Sequence, residues 1–195
     1  MNIKKLIQQN FDESIASKQQ VKFLVEDNIE RAVNVLVSCF TNKHKLLICG
    51  NGGSAADSQH LAAEFTGRYE IERTPLPAIA LTTDSSALTA IGNDYNFESI
   101  FSKQVEALGL DGDVLLAIST SGNSKNIIEA IEVAKKKNMY IIGLTGKDGG
   151  NMNILLNDSK CLNICVPIIR TARIQEVHLL ILHTICDAID YLMFK

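Results

Sequence analysis

No apolar run in this sequence approaches the ~20 residues that a helix needs to cross a bilayer. The longest, such as Val114 to Ile118, are strand-sized, so no membrane span is expected. No basic block is present either: 19 Lys and Arg stand against 22 Asp and Glu, a net charge of −3. A mildly acidic chain without a cationic stripe argues against a dedicated nucleic-acid binder. The first ten residues carry Lys4 and Lys5 and then turn polar at Gln8, Gln9 and Asn10, so no signal peptide is expected. Charged residues make up only 21% and apolar ones 46%, which excludes a disordered chain. No linker, repeat or low-complexity stretch divides the 195 residues. That length suits one well-cored domain and is short for two, so a single domain over 1–195 is expected.

Cysteine is sparse and odd in number: Cys39, Cys49, Cys161, Cys165 and Cys186. Most sit inside apolar runs, which reads as buried thiols in a reducing compartment, hence a cytoplasmic protein. Cys161 and Cys165 could suggest a metal pair. On a strand, however, residues four apart lie about 13 Å from each other, too far to share one ion.

What is there has a clear rhythm. The first forty residues lack glycine and proline and repeat apolar positions at helical spacing, first at Ile3, Leu6 and Ile7, then from Val21 to Phe40. Short apolar runs follow at Lys45–Cys49, Pro77–Thr82, Asp113–Ile118, Tyr140–Leu144 and Leu162–Val166. Helical patterns separate several of them: one runs through Phe65, one is capped by Asp84, one spans Phe97–Leu108, and one ends near Lys137. A last amphipathic pattern covers Arg173–Met193. Strands alternating with helices predict a five-stranded parallel sheet in a three-layer αβα sandwich, with right-handed crossovers. The helices at 1–42 and 173–194 lie outside that nucleus, and their apolar faces are expected in subunit interfaces.

In an open parallel sheet, ligands bind at the carboxyl ends of the strands. Ser119–Ser124 places four hydroxyl residues (Ser119, Thr120, Ser121, Ser124) in six positions between a strand and a helix. Backbone N–H groups, hydroxyls and the positive end of the helix suit a phosphate there. The loop is neither a Walker motif nor a Gly-x-Gly-x-x-Gly fingerprint, which favours a sugar phosphate over a nucleotide. Asn51, Gly52 and Gly53 form a second glycine loop, either an ordinary turn or a close backbone approach to a ligand. His60 and Glu64 share one face of the following helix at i, i+4, the spacing of a surface ion pair as well as of a site. Glu72 and Arg73, in the next stretch, read as unremarkable surface charges. The last helix adds Gln175, His178 and His183 among apolar neighbours, the histidines being ordinary interface residues on the bland reading. His60, Glu64 and His183 would supply zinc ligands or, equally, a general acid and base.

These blocks together carry a resemblance. Cys49–Ser54, His60 with Glu64–Arg68, Gly92–Asp94, Ile118–Ser124, Leu144–Gly150 and Arg173–His178 with His183 occur in order along nearly the whole chain. The chain resembles the sugar isomerase (SIS) family, and within it the phosphoheptose isomerases. That resemblance implies interconversion of sedoheptulose 7-phosphate and D-glycero-D-manno-heptose 7-phosphate, the first step towards ADP-heptose and the lipopolysaccharide core. It implies a homotetramer with active sites between subunits and one zinc per subunit. By the same resemblance, Ser119, Thr120, Ser121 and Ser124 hold the phosphate, and Asn51, Gly52, Gly53, Asn93, Asp94 and Gln175 line the sugar. Glu64 would be the base, also touching substrate, and His183 the opposing acid. His60, Glu64, Gln175 and His183 would be the metal ligands. One tension is geometric: Gln175 and His183 are about 12 Å apart along a helix axis.

The DnaA initiator-associating protein, a non-catalytic adaptor, is similar in scaffold, for instance at Lys103–Leu108 and Cys186–Asp190. It lacks the acid and the histidine that Glu64 and His183 supply here. Burying unpaired ionisable groups costs free energy, which a mere scaffold has no reason to bear. A sensor that binds a sugar phosphate without turning it over would keep the serine loop but have no use for Glu64.

Overall fold

A computed structural model describes residues 2–195. Among them are seven α-helices and five strands: α1 (Ile3–Thr41), β1 (Leu46–Gly50), α2 (Gly53–Thr66), β2 (Ala78–Ala80), α3 (Ser85–Asp94), α4 (Ser102–Leu108), β3 (Val114–Ser119), α5 (Lys125–Lys136), β4 (Tyr140–Gly146), α6 (Gly150–Leu155), β5 (Cys161–Val166) and α7 (Thr171–Phe194). All strand pairs are parallel, in the order β2-β1-β3-β4-β5. β1 and β3 are buried along their whole length, as expected for apolar strands covered on both faces. Alternate strand residues feed two cores. Leu46, Ile48, Leu116 and Ile164 pack with α1, α2 and α7, while Leu47, Leu115, Ala117 and Ile141 pack with α4, α5 and α6. The three-layer αβα sandwich is therefore present.

Several elements differ from the sequence expectation. The two N-terminal helical stretches are one helix of 39 residues, because nothing between them breaks the pattern. β2 is only three residues long and pairs on one side, as an edge strand. Phe97–Leu108 is not one helix. The Asn96 side chain accepts from the Ser99 amide at 2.8 Å and caps a single 3-10 turn at Phe97–Ser99, and α4 starts afresh at Ser102. α6 follows Gly149, which adopts φ 82°, and is too short to display a period in sequence. α7 is long and apolar enough, by length and composition, to cross a membrane. Its inward face (Ile174, Val177, Ile181, Ile185 and Ile189) is buried in the core instead.

The cysteines behave as expected of thiols in apolar surroundings. All five are free, four are buried, and burial pushes Cys49 up to about 12.

Candidate active site

The strand order reverses between β1 and β3, which send their chains to opposite sides of the sheet. Such a switch point opens a crevice at the strands' carboxyl ends. The two loops singled out by composition leave β1 and β3 there. They are tied together by a reciprocal amide pair: Asn51 Nδ2 donates to Asn126 Oδ1, and Asn126 Nδ2 to Asn51 Oδ1, both at 2.9 Å. Asn126, buried in the first turn of α5, was not legible as a site residue, since its partner is 75 positions away.

In the β3–α5 loop, the hydroxyl of Ser124 lies 3.0 Å from that of Ser119, which is 3.4 Å from that of Ser121. Ser124 is the N-cap of α5 yet makes no side-chain cap bond. Its hydroxyl turns towards Ser119 instead, leaving the first N–H groups of α5 without a side-chain cap. Thr120 is half-buried beside them. Converging hydroxyls at an uncapped helix start form a cradle for an anion.

In the β1–α2 loop, Gly52 takes φ 56°, a conformation that favours glycine. At Gly53 a Cβ would collide with the Gln175 side-chain amide. The absent side chain thus seats Gln175 of α7 against the start of α2. Seven residues along α2, His60 meets His183 of α7, ring centroids 5.0 Å apart and edge to face. His60 Nε2 is 2.9 Å from Glu64 Oε1. One ligand atom from each of His60, Glu64 and His183 lies within 4.8 Å of the others. Two imidazoles and a carboxylate at that separation match the donor set of zinc, so the residues present fit such an ion.

Gln175 is not in this cluster. Its amide sits at Gly53, about two turns back along both helices. Asn93 and Asp94 end α3, exposed, the Asn93 amide donating to Asp94 at 3.0 Å. The structure brings neither of them against the cluster.

Besides Asn126, the sequence reading passed over Tyr69, Asp57 and Asp190 and misread Arg73 and His178. Arg73 is no surface charge: its side chain is fully buried, and its Nε donates to Asp190 of α7 at 2.7 Å. Its Nη2 donates to the Glu64 carbonyl at 2.8 Å and its Nη1 to that of Phe65 at 3.0 Å, satisfying the open end of α2. The ring of Tyr69 lies 5.7 Å from that of His183. Asp57, one turn before His60, holds a buried Oδ2 without a partner, and burial pushes its carboxyl up to about 6 against the pull of His60. His178 is a core residue rather than an interface one. Its Nε2 lies 2.9 Å from the Thr145 carbonyl oxygen, and burial depresses its pKa to about 4, so it is neutral and donates there.

The SIS domain family model matches residues 9–146. Phosphoheptose isomerase of Laribacter hongkongensis is 56% identical over 184 residues, 94% of this chain and 93% of that protein. The chain belongs to the phosphoheptose isomerases of the SIS-domain family. Its structure is similar to that of phosphoheptose isomerase GmhA from Neisseria gonorrhoeae, with a TM-score of 0.93 and 49% identity over 97% of this chain and all of that one. A phosphoheptose isomerase from Francisella tularensis gives a TM-score of 0.94 and 42% identity over 98% and 100% of the two chains. Membership of the phosphoheptose isomerases makes the protein an isomerase acting on a sugar phosphate, not a scaffold alone.

Proposed function

We propose that this enzyme converts sedoheptulose 7-phosphate to D-glycero-D-manno-heptose 7-phosphate, in the cytoplasm, as the first step towards ADP-heptose and the lipopolysaccharide core. The observation that carries the proposal is the meeting of Glu64 and His183, from different helices, in a chain whose β3–α5 loop also gathers converging hydroxyls. The serine loop, with Ser119, Thr120, Ser121 and Ser124, holds the phosphate and so fixes the far end of the sugar. The Asn51–Gly53 loop, Gln175, Asn93 and Asp94 line the remainder. Asn51 does so through its backbone, its amide being committed to Asn126.

An aldose–ketose shift passes through a cis-enediol. Glu64 takes a proton from C1 of the ketose and returns it to C2, while His183 protonates the C2 carbonyl oxygen. The C1 hydroxyl then loses its proton as the aldehyde forms, and both groups regain their starting state. His60 holds the Glu64 carboxylate in place by its hydrogen bond. His60, Glu64 and His183 would hold one zinc per subunit, with Gln175 as a fourth ligand only where another subunit brings it near. Bound zinc would polarise the carbonyl oxygen.

A homotetramer with sites between subunits is the companion proposal. Its support is an apolar groove of about 780 Å³ between α1 and α7, lined by Val21, Val25, Ile29, Leu180, Tyr191 and Leu192. Phe11, Ile15, Phe23 and Leu24 of α1 are also exposed.

NMR of the purified protein with sedoheptulose 7-phosphate tests the reaction, run on chelated and on zinc-restored samples with metal content measured alongside. Ketose signals should give way to aldose signals. A folded, zinc-loaded protein that leaves the ketose unchanged would retire the assignment, and chelated protein with full turnover would remove zinc from it.

A further inference from the structure

The block Leu144–Gly150 belongs to the pattern that marks the family, yet none of its residues has a part in the chemistry above. Its packing gives it one. Gly122, at the tip of the serine loop, has φ 65°, and a Cβ there would drive into the Gly149 carbonyl oxygen. Gly149 and Gly150 themselves take φ 82° and 51°, and a Cβ on Gly150 would lie 2.6 Å from the Ser121 carbonyl oxygen. Gly122 and Gly150 thus let two backbones touch where no side chain fits, while Gly149, whose Cβ would meet Asn153 and Asn163, holds the left-handed turn that starts α6.

Hydrogen bonds lock that contact. The Met152 amide donates to the Gly122 carbonyl at 3.0 Å, and the Asn151 amide to Asn123 Oδ1 at 2.9 Å. Asn123 Nδ2 in turn donates to the Ser121 carbonyl at 2.9 Å, and the Asn123 amide donates to Ser121 Oγ at 3.2 Å. Asn123 is exposed, and its side chain bridges the two segments.

We propose that the 149–152 segment is a brace for the phosphate loop, with Asn123 and Gly149 as positioning residues that set affinity for the phosphate end of the substrate. A cradle built from hydroxyls and N–H groups binds only when those groups are held in place beforehand, since ordering them on binding costs affinity. The brace supplies that order from outside the site. It therefore acts on substrate capture rather than on proton transfer at Glu64. The inference rests on the serine loop being the phosphate site.

The experiment uses the full-length Asn123→Ala and Gly149→Ala variants beside Ser124→Ala, measuring kcat, KM, competitive inhibition by inorganic phosphate, and thermal midpoint. Asn123→Ala should raise KM and the phosphate inhibition constant together, by about tenfold for two lost hydrogen bonds, with the change confined to KM. Gly149→Ala should act in the same direction. Should Ser124→Ala weaken phosphate while both brace variants bind it like the parent, the brace is wrong and the phosphate site stands. Unchanged phosphate inhibition in all three would remove the phosphate site and the brace together. A lower thermal midpoint with unaltered KM and inhibition constant would make Asn123 a stabilising residue only, which also overturns the proposal.

Discussion

In the proposed mechanism, Glu64 is the side chain on which turnover depends most directly. Glu64→Gln keeps the size and most of the hydrogen bonding of the carboxylate but removes its basicity. Turnover should fall by about 10³-fold, with inorganic phosphate still bound as by the parent; a variant retaining a tenth of parental kcat would take the proton-transfer role from Glu64. His178 governs a different property, stability against acid. Its pKa falls from the usual 6.5 to about 4 in the folded chain, so the fold favours the neutral ring. That stabilisation is complete above pH 6.5, declines as pH falls towards 4, and amounts to about 3 kcal/mol. Asp57 works the other way: its raised pKa of about 6 makes the fold less costly as pH falls through the same interval. The test is therefore a difference. The stability gap between parent and His178→Gln, from urea unfolding, should narrow from pH 7 to pH 4, and a constant gap would contradict the assignment. His60 and Glu64 were legible in the sequence because helical periodicity alone puts i and i+4 on one face. Arg73 was not, because its meaning comes from Asp190, 117 positions away, and charge in a loop says nothing about burial.

At the scale of elements, α2 and α7 lie side by side and run in the same direction. Gln175 meets Gly53 at one end, His183 meets His60 in the middle, and Asp190 joins Arg73 at the other end. The buried Arg73–Asp190 pair holds the end of the unit that carries the Glu64 carbonyl. Removing one partner strands the other charge, so Arg73→Leu should cost about 3–5 kcal/mol in urea unfolding. The double variant Arg73→Leu/Asp190→Leu should recover part of that loss; additive costs would mean that the pair is not coupled. Strands β1, β3 and β4 were readable because burial on both faces writes a nearly unbroken apolar run, and β5 because its apolar residues persist around the half-buried Asn163. β2 was overestimated, since its run continues past the edge where pairing stops. The Phe97–Leu108 pattern misled for the opposite reason: its apolar spacing suits a helix, but Asn96 caps the start of a single 3-10 turn at Phe97–Ser99 and α4 begins separately at Ser102. The serine loop was legible through composition, whereas its contact with 149–152 is a property of two segments together and left no trace in either.

The molecule as a whole follows from the reversal of strand order between β1 and β3, which composition and periodicity could not supply. Alternating strands and helices predict a parallel sheet but leave the order open; the crevice exists only because the order turns there. The apolar surface of α1 and α7 was legible in the helical pattern of both ends of the chain, and the proposal places it in an interface. Sedimentation of the purified protein should give a tetramer at micromolar concentration, and a stable monomer with full activity would refute sites shared between subunits. The side-by-side pairing of α2 and α7 has a mechanical corollary. Two rods fastened at three heights cannot slip by a fraction of a notch: the nearest alternative seating is a full helical pitch away, about 5.4 Å. At that displacement the imidazole and carboxyl partners are out of reach of one another. Damage to the clamp should thus leave a mixture of fully working and silent molecules, not a population that is uniformly slower.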